Sequence, residues 1–182
     1  MGNKRLFIAV EVPPLVIKEL QRIEHELKRA HLFKGTYINP LHAHITLKFL
    51  GEVDEQLIPV IHERLLNIKY ELMYAKLGKL DFFTSKKNIP RLIYCSVICP
   101  ELITLAQQID QELADLIEPE QRSFTNHLTL ARIKHVDNYD DLIKFIESYS
   151  VESIQFDIDS FFLKESVLTP KGPSYSIVQI YR

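Results

Sequence analysis

The chain has 182 residues, with 46% apolar and 25% charged side chains, which suits one soluble globular domain with a real core. Its 22 basic and 24 acidic residues give a formal charge of −2, against the basic excess that a sequence-independent binder of long nucleic acid would carry. Five glycines, at 2, 35, 51, 78 and 172, are spaced for neither kind of phosphate-cradling loop, so a phosphate site here needs side chains.

Lys4 and Arg5 precede an apolar stretch, Leu6 to Val10, that is too short for a signal sequence. Leu6 stands where a myristoylation signal has Ser or Thr. The longest apolar runs fall well below the roughly 18 residues that span a bilayer. A cytoplasmic protein without membrane contact is the expectation. Cys95 and Cys99 are too few for a disulfide framework or a four-cysteine zinc site and read as core residues.

Along the chain, Arg5–Val12 is β-rich and ends at Pro13-Pro14. Val16, Leu20, Ile23, Leu27 and Ala30 then make one face of a helix of about five turns. Gly35 closes this stretch. Ala43–Leu50 alternates as a strand, with Asp54 as a helix N-cap and a second helix to about Asn67. The second half follows the same order. Arg91–Cys99 is a strand, Leu102 to Leu116 a helix, Asn126–Ile133 a strand and Asp140–Ser148 a helix. Further strands are expected near 70–83, 151–163 and 174–181.

The two halves match in position. His44 and His127, Thr46 and Thr129, and Leu47 and Leu130 are all separated by 127 − 44 = 83 residues, as are Val53-Asp54 and Val136-Asp137. Arg5-Leu6 and Arg91-Leu92 match at 86. This predicts an internal repeat, residues 4–67 and 90–150, within one bilobal domain. The expected fold is α+β: duplicated β-α-β-α units forming two antiparallel sheets that face a central groove, with helices outside.

Residues i and i+2 of a strand share a face. His44 and Thr46 therefore point one way and Ile45 and Leu47 the other; His127 and Thr129 repeat the arrangement. Two imidazoles and two hydroxyls facing one groove suit a phosphodiester. One ring can take a proton from water while the other gives one to the leaving oxygen, without a metal or other cofactor. The hydroxyls can donate to the non-bridging oxygens. A single His-x-Thr reads more simply as a solvent-facing strand; two copies at one offset do not.

The segments PLHAHITLKFLGEVD and RSFTNHLTLARIK resemble the paired motifs of the two-histidine phosphoesterase superfamily. The nearer likeness is to its RNA 2′,3′-cyclic phosphodiesterases, also called 2′-5′ RNA ligases. RLFIAVEVPP, PRLIY and GPSY fit as well. The resemblance implies hydrolysis of RNA 2′,3′-cyclic phosphate ends to 2′-phosphates, with 2′-5′ ligation as an associated activity. It implies RNA ends or oligonucleotides as partners, and a monomer is expected. His44 and His127 carry over as catalytic, His44 as acid and His127 as base by analogy. Thr46 and Thr129 carry over as substrate-binding. Arg91 and Arg132 resemble substrate-binding positions too, but strict alternation turns Arg132 away from His127 unless the strand bends. Tyr94 stands where the family often has Trp, which puts base stacking there in question.

Several alternatives remain open. A non-catalytic RNA-end or nucleotide-binding module would keep the groove and lack turnover. A metallophosphoesterase would use His42 and His44, although Thr125 matches His42 in the second half and leaves that pair unrepeated. A 2′-5′ oligonucleotide or a cyclic ADP-ribose phosphate would satisfy the same motifs. Lys48 borders the groove if alternation holds. Tyr175, in a turn leading to the last strand, could contact a base. Lys86 and Lys87 read as a solvated loop.

Overall fold

The computed structural model describes residues 2–119, 121, 123–170 and 172–182. The elements are β1 (Asn3–Glu11), α1 (Pro14–Ala30), β2 (Phe33–Tyr37), β3 (His44–Asp54), α2 (Ile58–Leu66), β4 (Met73–Thr84), β5 (Pro90–Ile98), α3 (Glu101–Glu112), β6 (His127–Val136), α4 (Tyr139–Ser148), β7 (Gln155–Ile158), β8 (Phe161–Thr169) and β9 (Gly172–Tyr181). They form an α+β fold with two antiparallel sheets, ordered β3-β1-β8-β9 and β2-β6-β5-β4-β7.

Local chemistry explains the helices. Pro14 begins α1, where a missing N–H costs no intrahelical bond. Val16, Leu20, Ile23 and Leu27 bury its apolar stripe, and His31 ends it in a left-handed conformation. Asn138 caps α4 by accepting from the Asp141 N–H. Asp54 caps a short 3-10 turn, Glu55–Leu57, rather than α2 itself. Among the described residues, no helix is long and apolar enough to cross a membrane.

Apolar residues from both sheets and all four helices form one core cluster, with Ile8, Val10 and Ile45 from one sheet and Ile93, Cys95 and Leu128 from the other. Cys95 and Cys99 are buried free thiols, and burial pushes the Cys95 thiol up to about 12.

The central strand pairs of the two sheets share a register. Ala9 lies opposite Thr46 and Tyr94 opposite Thr129; Val10 lies opposite Ile45 and Cys95 opposite Leu128. The first strands therefore correspond at 94 − 9 = 85 residues, not the 86 suggested by Arg5-Leu6 and Arg91-Leu92. Beyond the threonines, both pairs slip by one residue: Ile8 faces Lys48 and Ile93 faces Ala131. The extra residues are Leu47 and Leu130. Each is a β-bulge, which bends the strand and resets its alternation.

Gly35 does not close the first unit. It lies inside β2, which crosses to the second sheet and pairs with β6. A Cβ on Gly35 would sit 2.2 Å from the Arg132 carbonyl oxygen, so only glycine allows this approach. Gly35→Ala should lower stability by about 1–3 kcal/mol, the usual cost of overpacking. Urea denaturation checks this; an unchanged midpoint would mean that β2 can move aside freely.

Candidate active site

His44 and His127 begin β3 and β6, and β3 runs against β6. The His44 Nδ1 lies 2.8 Å from the His42 carbonyl oxygen, and the His127 Nδ1 lies 2.7 Å from the Thr125 carbonyl oxygen. A carbonyl only accepts, so both Nδ1 atoms carry the proton and donate it. In the neutral rings, each Nε2 is then left with a free lone pair. Both rings are thus held in the same tautomer by the residue two positions earlier, which orients them as a second partner orients a catalytic histidine.

Aromatic residues pack each imidazole. His44 has Phe7 at 4.9 Å and Tyr175 edge-on at 5.2 Å between ring centroids. His127 has Phe83 edge-on at 5.1 Å and Tyr94 at 5.4 Å. Burial against these walls disfavours the charged rings. It pushes His44 down to about 4, aided by the Lys164 and His127 charges, while the His42 carbonyl and Glu11 oppose the shift. Burial also lowers His127, with the Arg132 charge adding to it and the Thr125 carbonyl opposing it. Tyr94 is only 6% exposed and supports His127, so it offers no open face to a base.

A cavity of about 820 Å³ opens beside these strands. Its walls include Thr46 and Phe49 of β3, Thr84 and Phe83 of β4, Arg91 and Leu92 of β5, and His127 and Arg132 of β6. Leu47, Lys48, Ser85, Lys86 and residues Ser123 to Thr125 complete the wall. The cavity brings together Thr46, His127, Arg91 and Arg132. His44 and Thr129 are outside this lining, each one position further along the same strand face as Thr46 and His127, and the His127 charge acts on His44. No Asp or Glu lines the cavity among the described residues.

The Leu130 bulge resolves the orientation of Arg132. With alternation reset, Arg132 joins the cavity wall and its charge reaches both His127 and Tyr175. Arg91 donates from Nη1 to the Lys134 carbonyl at 3.4 Å, beside the same cavity. The Leu47 bulge turns Lys48 the other way. Its buried ammonium is held by the Asp110 carboxylate and the Glu118 carbonyl, so it is not a free cation of the groove. Phe49 takes the place corresponding to Arg132, at 132 − 49 = 83, and is 65% exposed. Sequence reasoning missed Phe49, and that offset was the signal for it. It also missed Phe7 and Phe83, whose contacts with the histidines carry no sequence motif. His42 is exposed beside Tyr175, and no group of three metal-binding side chains occurs among the described residues.

Known proteins resemble this chain over nearly its whole length. The RNA 2′,3′-cyclic phosphodiesterase of Methanocaldococcus jannaschii is 31% identical, covering 96% of this chain and 98% of that protein. Its namesake from Archaeoglobus fulgidus is also 31% identical, covering 97% and 99%. A crystal structure from Thermus thermophilus superimposes with a TM-score of 0.77 at 25% identity, covering 97% of this chain and 96% of that one. E. coli LigT complexed with 3′-AMP shares the fold, with a TM-score of 0.76 at 18% identity over 100% and 98% of the chains. Residues 12–167 match the 2′-5′ RNA ligase superfamily, and the chain belongs to it.

Proposed function

We propose that this protein hydrolyses RNA 2′,3′-cyclic phosphate ends to 2′-phosphates, using His44 and His127 as a metal-independent acid–base pair. The observation that carries this reading is the repeated Nδ1–H to carbonyl bond, which leaves one Nε2 per ring for proton transfer. The relatives' shared name, RNA 2′,3′-cyclic phosphodiesterase, supports the substrate. The paired geometry supports residues 4–67 and 90–150 as two copies of one unit in a single bilobal domain.

In the reaction, water attacks phosphorus and the P–O3′ bond breaks. His127 takes the water proton on Nε2. His44, protonated on Nε2, gives its proton to the leaving O3′. The Thr46 and Thr129 hydroxyls donate to the non-bridging oxygens, and Arg132 holds the reacting anion. Glu11, opposite His44 in the β1–β3 register, favours the charged form of that ring, but burial and Lys164 outweigh it, so His44 takes up its proton with the phosphate anion.

His44→Ala and His127→Ala should each reduce turnover about a hundredfold or more, the range of general acid–base effects, while retaining the folded circular-dichroism spectrum. Wild-type turnover by either variant would overturn the pairing. EDTA should leave initial rates unchanged; loss of activity restored by a divalent ion would favour the metal reading instead.

The pH profile follows from the lowered pKa values. In the free protein both rings shed their protons below the ordinary imidazole value of 6.5, so the singly protonated pair is most populated on the acid side of it. The profile of kcat/KM should be a bell whose alkaline limb lies below 6.5. A bound phosphate anion favours the imidazolium, so the alkaline limb of kcat should move upward. Thr46→Ala and Thr129→Ala should lower the height and leave the limbs in place. Stopped-flow measurements with chemistry rate-limiting test this, and a flat profile would contradict the mechanism.

A further inference from the structure

The cavity is bordered by two regions of opposite charge. Beyond Lys48 and Phe49 lies a second cavity of about 660 Å³ that shares those two residues with the first. Glu52 and Glu118 line it, and Lys48, its one cation among the described residues, is engaged by Asp110 and the Glu118 carbonyl. At the other border stand Lys86 and Arg91. The turn joining β4 to β5 fixes this end. The Ser85 N–H donates to the Ile89 carbonyl at 2.8 Å, and the Asn88 N–H donates to the Ser85 carbonyl at 2.9 Å. Asn88 adopts a left-handed φ of 57°, which asparagine tolerates. Lys86 forms part of the cavity wall, whereas Lys87 does not.

We infer that the Lys86–Arg91 border is a second phosphate seat, holding the phosphodiester one nucleotide upstream of the cyclic end. This rests on the reading above that the terminal phosphate sits at the histidines. A polynucleotide leaving that position needs cations along its backbone. The border lined by Glu52 and Glu118 repels a phosphate, and the Lys86–Arg91 border attracts it. The seat selects RNA chains over isolated nucleotides and directs their bodies over the β4–β5 turn. The turn lysine, which reads as mere solvation in the sequence, becomes a specificity residue.

The test compares a nucleoside 2′,3′-cyclic phosphate with a dinucleotide ending in the same group, for the wild type and Lys86→Glu. For the wild type, log kcat/KM should fall with log salt more steeply for the dinucleotide, by about 0.7 for the one additional phosphate on a single strand. Lys86→Glu should remove that difference and lower kcat/KM for the dinucleotide about fivefold or more, at least the size of one exposed ion pair. The mononucleotide rate should not change. Equal salt slopes in the wild type, or equal losses on both substrates, would overturn the seat. Failure of both substrates to turn over would instead refute the proposed hydrolysis. The seat would then be read by calorimetry with the dinucleotide and nucleoside 2′-phosphates: tighter, Lys86-dependent dinucleotide binding supports it, and equal binding overturns it.

Discussion

One extra residue in each of β3 and β6 governs where the side chains of the site point. Up to the threonines, strict alternation places His44, Thr46, His127 and Thr129 on one face and buries Ile45 and Leu128 behind them. At Leu47 and Leu130 the ladder slips, and the next residues exchange faces. Lys48 and its counterpart Ala131 become buried, while Phe49 and Arg132 emerge beside the cavity. Without its bulge, β6 would carry His127 and Arg132 on opposite sides, and β3 would turn Lys48 toward the groove and Phe49 away from it. The close approach of Gly35 to the Arg132 carbonyl places β2 against this bent part of β6.

The bulges also sort the charges. An anion site built from neutral imidazoles needs nearby cations and no competing carboxylates. Lys48, turned away, is neutralised by Asp110, and Arg132, turned inward, remains exposed. The aromatic walls keep both histidines largely uncharged in the free protein, so phosphate binding and protonation of the acid favour one another. This coupling links substrate recognition to the active protonation state through the same ring.

The histidine–threonine pairs were legible in the sequence because period-two alternation and a constant offset of 83 need no tertiary information. The helices were legible for the same reason: their apolar stripes recur on one face. The direction of Arg132 was not legible, because a bulge leaves no unique residue signature; Leu47 and Leu130 look like ordinary strand residues. β2 was hidden because FKGTY is short, glycine-interrupted and stabilised by pairing with a strand about a hundred residues away. Alternation alone placed Lys48 at the groove, and only its contacts with Asp110 and Glu118 show where it goes.

A repeated unit supplies two equivalent imidazoles, yet hydrolysis requires an acid and a base. The backbone does not make that distinction: both rings have the same bond to the carbonyl two residues earlier. The distinction comes from the neighbouring strands. Opposite His44 stands Glu11, paired with Lys164 at 2.6 Å, whereas opposite His127 stands the neutral Ser96. His44 has a carboxylate at hand to favour its charged form and the Lys164 and His127 charges to oppose it, whereas the charged form of His127 is opposed by Arg132. The Lys164 ammonium acts on His44 more strongly than Glu11 does, and with burial it keeps the free protein from fixing a proton there before substrate arrives. Substitutions in β1 and β8, outside the motifs themselves, can thus bias one copy of a symmetric pair toward giving a proton and leave the other to accept one.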